Sequence, residues 1–464
     1  MEETFDIGVL GWWYGENYGS MLTYYALNRI LKKLGYSVLM IHEAFGYNGW
    51  RVHWDKNIAP LEFARRVGYD YTEQVHFGEL VKLNEKCRAF IVGSDQLWNS
   101  LIGRVNDDLF LNFTEDDKKR IAYATSFGNS DNKKFNPDFL CKNIPNLKRF
   151  DSISVCEKYA VNTAKNIFGV DAKQVLDPVF LLNQKEYSRL AAEATTRPKG
   201  DYLLSFVLDL TSEKKAIIIN IAQKLKLNKI VILTEASTKN IDAAQSLFFE
   251  GMFQFISEVK PENWLYAYEK SKYVITDNLY GSCFSIIFQK PFSVFFNKIG
   301  SERVISLMKF FEFGDERRIF EYLKKDVEKN KKISYEIDYS ACNSKIATES
   351  KKSYEWLKNA IDAPKKRDKI LPAGNRFPKL RWFLLQNRFD FYEENEADPL
   401  NENVEFRDNG TIENAPRGIK FWAIEGGRLA FYDKNQKLVS TFKTREFIEN
   451  ISNDIQILEE AVDH

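Results

Sequence analysis

Three stretches of this sequence gather side chains able to orient a polyol or hold an anion. Gly93-Ser94-Asp95-Gln96-Leu97-Trp98-Asn99 packs a carboxylate, two amides, a hydroxyl and an indole into seven residues. Such a set can hydrogen-bond several hydroxyls at once, and the competing reading is an Asx-type turn held by Ser94 and Asp95. In Thr276-Asp277-Asn278-Leu279-Tyr280-Gly281-Ser282, Asp277 and Asn278 can bond a ligand and Tyr280 can reach across a cleft. There the competing reading is that Asp277 caps the helix that follows. Gly15-Glu16-Asn17-Tyr18-Gly19-Ser20 ends at a helix start, whose free N–H groups favour an anion. Its spacing is neither the dinucleotide fingerprint nor a Walker loop, so a tight strand-to-helix turn competes with it.

Each stretch follows an apolar run that reads as a strand. Phe5 to Trp12 is a strand, and a helix follows from Ser20 with Leu27, Ile30, Leu31 and Leu34 on one face. Gly35 is its natural stop, and Val38 to Ile41 completes a βαβ unit. Ala89–Val92, Arg120–Ala124, Ser152–Val155 and Val175–Leu176 are further short strands, each ending in polar or small residues. A second series begins near Tyr202, with strands at Tyr202–Leu208, Lys229–Leu233, Tyr273–Thr276 and Pro291–Phe296. Helical stretches lie between them, at Glu213–Leu225, Glu262–Ser271 and Ser282–Gln289. The expected fold is α/β, with two Rossmann-like doubly wound domains facing a cleft in a GT-B-like arrangement. Their boundaries are expected at 1–182 and 183–362, the latter ending in a closing helix near Tyr354–Ile361. A charged linker at 363–403 leads to a β-rich appendage at 404–464, with turns at Asn409-Gly410 and Gly426-Gly427. On its strand, Phe421 and Trp422 must point to opposite faces. In open α/β sheets ligands bind beyond the carboxyl ends of the strands, which is where the three stretches fall.

Bulk composition excludes several classes. The 464 residues suit about two to four domains. A net charge of +1 gives no support to binding of nucleic acid. The N-terminus has no basic, then apolar, leader, and no apolar run of about 18 residues occurs, so neither secretion nor a membrane span is expected. Five scattered cysteines without a CxxC pair, and four scattered histidines, argue against a zinc site or disulfide framework. A reducing cytoplasm is the expected location.

The ordered blocks resemble the polysaccharide pyruvyl transferase family. The resemblance rests on Asn17-Tyr-Gly with the helix Tyr24 to Gly35, on Val92-Gly-Ser-Asp-Gln-Leu-Trp-Asn99, and on Ile121 to Gly128. It continues through Ile153-Ser-Val-Cys-Glu-Lys158, Leu176-Asp-Pro178, and Val274 to Phe292. The match runs in order over about residues 5–300. Two positions depart: Cys156 stands where the family usually has Arg, and Tyr280 where it usually has His.

That resemblance implies ketal formation from phosphoenolpyruvate on a sugar or glycan intermediate of surface-polysaccharide synthesis, with no resident cofactor and no metal. By it, Asp95, Asp277 and Tyr280 are the expected catalytic groups, Asp277 or Tyr280 supplying the proton. Asn17, Tyr18, Gly19, Lys158, Gly281 and Ser282 would hold the donor anion, Lys158 replacing the missing arginine. Ser94, Gln96, Trp98, Asn99, Glu157 and Asn278 would meet the acceptor. Expected partners are a glycan or lipid-linked sugar, with peripheral contact to membrane-bound glycan machinery left open. Two alternatives keep the fold: a nucleotide-sugar glycosyltransferase, and a non-catalytic glycan-binding or scaffold protein.

Overall fold

The computed structural model describes residues 4–42, 59–75, 79–101, 107–128, 135–235, 251–296, 301–320, 336–365 and 384–443, apart from 16, 116, 136, 259, 315–316, 386, 392–398, 408–409, 426–427 and 436. Its first sheet holds seven parallel strands: β1 (Phe5–Leu10), β2 (Val38–Ile41), β3 (Asp70–Tyr71), β4 (Cys87–Val92), β5 (Lys119–Thr125), β6 (Ser152–Val155) and β7 (Lys173–Gln174). They lie in the order β3-β2-β1-β4-β5-β6-β7. The second sheet is also parallel, with β8 (Leu203–Phe206), β9 (Ile230–Leu233), β10 (Phe253–Ile256), β11 (Tyr273–Thr276), β12 (Phe292–Phe296) and β13 (Arg318–Phe320). Its order, β10-β9-β8-β11-β12-β13, repeats the logic of the first. Strands such as β2, β8, β9 and β11 are buried at every position, as parallel strands covered by helices on both faces must be.

Both orders contain a topological switch point, where the chain turns from building one half of the sheet to the other. It lies between β1 and β4 in the first sheet and between β8 and β11 in the second. The loops after β1, β4, β8 and β11 therefore flank two crevices at the carboxyl edges. Helix Tyr18–Lys33 follows β1, with Asn17 as its N-cap and lysines in its last turn. It gives way at Gly35, which takes a φ of +93°.

The two domains share a core. One apolar cluster runs from Ile7 and Tyr18 through Val179 and Tyr187 to Phe206, Trp264 and Phe284. Tyr18 stacks on Trp264 across the seam, at 5.7 Å between ring centroids. The chain crosses to the second sheet through Pro178–Leu181 and helix Gln184–Ala191. It returns through the long helix Ser340–Asp362, which contains the expected closing helix. There Ser353 Oγ accepts the Leu176 N–H at 2.9 Å, and Lys119 donates to the carbonyls of Ile361 and Ala363 at the helix end.

The C-terminal module consists of two antiparallel three-stranded sheets. One holds β14 (Arg388–Phe391), β15 (Asn401–Phe406) and β16 (Ile412–Glu413); the other holds β17 (Phe421–Glu425), β18 (Arg428–Tyr432) and β19 (Leu438–Lys443). A bridge from Thr411 to Phe421 joins them, with the Trp422 N–H donating to the Gly410 carbonyl. They enclose a core of their own, built on Leu384, Val404, Phe406, Trp422, Leu429 and Phe431. Strand β14 and Leu384 belong to this module although they fall in the stretch read as linker. Trp422 is buried and its neighbour Phe421 half-buried, as their opposite faces require. Gly410 takes a φ of +82° at its turn; Asn409, Gly426 and Gly427 lie outside the described residues.

Candidate active site

The loop after β4 turns sharply because Asp95 adopts a φ of +89°, a conformation that residues with a Cβ rarely enter. Its side chain holds the turn. Oδ1 accepts the Gln96 N–H at 2.8 Å, and Oδ2 accepts from Ser20 Oγ, at the start of the first helix, at 2.9 Å. The Asp95 carbonyl accepts the Ser126 N–H at 2.9 Å, tying the loop to the end of β5. Next to it, Ser94 Oγ donates to Asp177 Oδ2 at 2.6 Å, and Thr23 Oγ1 donates to Asp177 Oδ1 at 2.8 Å. Glu157, just past β6, accepts from Ser126 Oγ at 2.9 Å. Asp95, Asp177 and Glu157 thus come together beyond the carboxyl edge of the first sheet, and all three are buried.

A cation reaches them from the other domain. Arg303, in the first turn of helix Glu302–Phe310, donates through Nη1 to Asp95 Oδ1 at 3.0 Å and through Nε to Glu157 Oε1 at 2.9 Å. It is only 5% exposed, so these are ion pairs inside the protein. Its Nη2 and the second carboxylate oxygen of Glu157, Oε2, are buried without a hydrogen-bond partner. Beside them lies a cavity of about 40 Å³. Its lining includes the polar Glu157, Asp177, Arg303 and Cys156 and the apolar Leu176, Phe180, Leu279 and Leu307.

Three carboxyl groups facing one guanidinium leave negative charge uncompensated. Burial pushes the carboxyls of Glu157 and Asp177 above their ordinary range, against the pull of Arg303 on Glu157 and of the Ser94, Val179 and Thr23 hydrogen bonds on Asp177. Burial, aided by the charges of Glu157 and Asp177, pushes the Cys156 thiol well above its ordinary value. That thiol donates to the Ala124 carbonyl. It is neither a cation nor a nucleophile in this setting.

The second sheet contributes the loop after β11. Asn278 caps helix Leu279–Ile287 by accepting the N–H groups of Tyr280 and Gly281 at 2.8 and 3.2 Å. Ser282 Oγ donates back to the Asn278 carbonyl. The Tyr280 ring packs against Gly19 of the facing domain, where a Cβ would come within 1.9 Å of it. The Tyr280 hydroxyl is buried without a partner, and burial holds its pKa well above that of a free phenol. At the mouth of the seam, Asn17 Nδ2 donates to Glu235 Oε1 at 2.8 Å, and the Tyr18 hydroxyl donates to the Glu258 carbonyl at 2.8 Å.

Several expected roles change in this geometry. Lys158 is exposed, and the cation inside the cluster is Arg303, because the helix that Lys158 begins points it outward. Asp277 is turned away from the cluster. Its carboxylate accepts the N–H groups of Leu208 and Asp209 and faces the buried Lys214, so it braces the loop after β8. Burial holds the Tyr280 phenol well above its ordinary pKa, so it keeps its proton at neutral pH and is a weaker acid than a free phenol. Trp98 is fully buried, stacked on Phe110, with its Nε1 donating to the Leu109 carbonyl, so it offers no face to a sugar. Asn99 is buried, its Nδ2 donating to Gln96 Oε1 at 2.8 Å, while Gln96 and Asn278 are partly exposed.

Arg303 and Asp177 are the groups that sequence reasoning did not single out. Asp177 carries the strand-end signal that was already recognised in Leu176-Asp-Pro178. Arg303 follows the loop after β12, so searching the loops one strand further would have reached it.

A family model described as polysaccharide pyruvyl transferase matches residues 17–297. No curated protein matches the chain. Among solved structures, a UDP-glucosyltransferase from Polygonum tinctorium is similar at 9% identity and a TM-score of 0.46, over 78% of this chain and 99% of that one. The UDP-GlcNAc 2-epimerase of Methanocaldococcus jannaschii is similar at 13% identity and a TM-score of 0.44, over 82% and 99%. Among the described residues no helix is long and apolar enough to cross a membrane. With the family model covering more than half of its length and the matching blocks converging on one buried cluster, the chain belongs to the polysaccharide pyruvyl transferase family.

Proposed function

We propose that this protein transfers a pyruvyl group from phosphoenolpyruvate to a sugar of a surface-polysaccharide intermediate, in the cytoplasm, with peripheral contact to membrane-bound glycan machinery. The observation that carries the reading is the pair of unpartnered atoms, Glu157 Oε2 and Arg303 Nη2, beside one small cavity. Enolpyruvyl chemistry needs a proton for carbon and a cation for the donor's anion, and this pair offers both.

In the proposed reaction Glu157, protonated on Oε2, gives its proton to the methylene carbon of the donor. The central carbon becomes electrophilic, and one acceptor hydroxyl adds to it, its proton returning to Glu157. The bond from that carbon to the phosphate oxygen then breaks. The second hydroxyl adds to close the ketal, and its proton leaves with inorganic phosphate. Burial of Glu157 supports the acid role, since a carboxyl held above its ordinary range keeps a proton nearer neutral pH. Gln96 and Asn278, both partly exposed, are the proposed acceptor contacts.

The test is phosphate release from phosphoenolpyruvate in the presence of a panel of glycans, with mass spectrometry of the acceptor. The expected result is phosphate release matched by a pyruvyl mass gain, reduced about a hundredfold or more in Glu157→Gln. Release that is unaffected by Glu157→Gln would remove Glu157 from the mechanism, and no release with any acceptor would count against pyruvyl transfer.

A further inference from the structure

Arg303 is held at rest by two carboxylates of the facing domain, but incompletely. Its Nε–Nη2 edge is the one that normally grips a carboxylate through two parallel hydrogen bonds. Here that edge spends Nε on one oxygen of Glu157, while Nη2 and the other oxygen are left without partners in a buried setting. The mismatch is costly, because each buried polar atom without a partner carries a desolvation penalty. Arg303 also lines the cavity, together with the apolar Leu176, Phe180, Leu279 and Leu307. A cavity lined by both charged groups and hydrocarbon suits a short carboxylic acid whose carbon end is apolar.

We propose that Arg303 is the carboxylate contact of the donor, and that the donor wins it by exchange. The donor's carboxylate takes the Nε–Nη2 edge, and Glu157 leaves the guanidinium and takes up a proton. This rests on the pyruvyl-transfer reading and adds to it a reason for the acid to be ready only when the donor is present. In the resting state Glu157 is paired with Arg303. Once the pair is broken, a buried carboxylate without its cation binds a proton. Asp95 keeps its bond to Nη1, so Arg303 is not lost from the cluster while its partner changes.

The experiment is isothermal titration of the full-length protein with phosphoenolpyruvate, pyruvate and inorganic phosphate, each in two buffers of different ionisation heat. Phosphoenolpyruvate and pyruvate are expected to bind the wild type with net proton uptake. Arg303→Lys, which keeps the charge and loses the fork, should weaken both about tenfold or more. Glu157→Gln, which removes the competitor, should tighten both several-fold and abolish the proton uptake, although its turnover is impaired. Tightening with loss of uptake is not the result of a merely damaged site, so it separates exchange from misfolding. If both variants bind phosphoenolpyruvate as the wild type does, with the same uptake, exchange at Arg303 is wrong while the pyruvyl reading stands. If phosphate alone shows the response and pyruvate does not, the seat is for phosphate and the proposal is overturned. If the wild type binds none of the three, both this inference and the reading beneath it fall.

Discussion

Asp177 brings a carboxyl into the interior with three hydrogen bonds, from Thr23, Ser94 and the Val179 N–H, and with no ion pair among the described residues. Burial raises its pKa above the value of about 3.9 expected in the unfolded chain. Between those two values the folded protein binds more protons than the unfolded one, so stability falls as pH rises through that window. Below the unfolded value both states are protonated, and above the folded value the destabilisation is fully present. Asp177→Asn keeps the shape and removes the titration. Its melting temperature should therefore fall less steeply than that of the wild type as pH rises from 4 to 8; parallel curves for the two proteins would exclude the linkage. At this scale, the residues of a single stretch were the legible ones. Asp95 sits in a block whose composition already suggested a site, and Glu157 in one that the family resemblance pointed to. Arg303 stands 146 positions from Glu157 along the chain, and nothing local to either residue encodes their meeting. Lys158 was the nearer cation in sequence, but the direction of its helix, not its spacing, decides where its charge goes.

The first turn of helix Tyr18–Lys33 and the helix after β11 meet through Gly19 and Tyr280, with no room for a methyl group between them. Gly19→Ala should force this contact apart and destabilise the fold by about 1–3 kcal/mol, the ordinary cost of overpacking. Tyr280→Phe, in contrast, removes a buried hydroxyl that has no partner, so stability should hold or rise. Urea denaturation of the two variants checks both signs; a Gly19→Ala protein as stable as the wild type would mean that the seam is looser than described. The larger elements were readable from apolar runs and their stops, as with β1, the helix to Lys33, and Gly35. Strands β3, β7 and β13, two or three residues each, are too short to carry a period. They exist because a neighbouring strand offers its edge. β14 was hidden for a related reason: its alternate residues Arg388 and Asp390 stay exposed, and only pairing with β15 makes it a strand.

For the whole molecule, the C-terminal module's separate core predicts that it can be removed. A chain ending at residue 365 keeps helix Ser340–Asp362 and should melt within a few degrees of the full-length protein, whereas one ending at residue 339 should not fold as a two-sheet body. Calorimetry of the two truncations checks this, and equal stability of both would deny the helix its bracing role. The helix also has an architectural consequence. The chain leaves the first domain through Pro178–Leu181 and comes back along a helix that meets Leu176 at Ser353, so both crossings converge on one spot. The two covalent crossings are thus anchored together, like two straps sewn at one seam, and elsewhere the domains are joined by non-covalent contacts such as the stack of Tyr18 on Trp264. Leu176, Asp177 and Phe180 line the same cavity as Glu157 and Arg303. The pair Glu157 and Arg303 therefore sits beside the place where both crossings are anchored, so the spacing of its charges is kept by the run of the backbone as well as by side-chain packing.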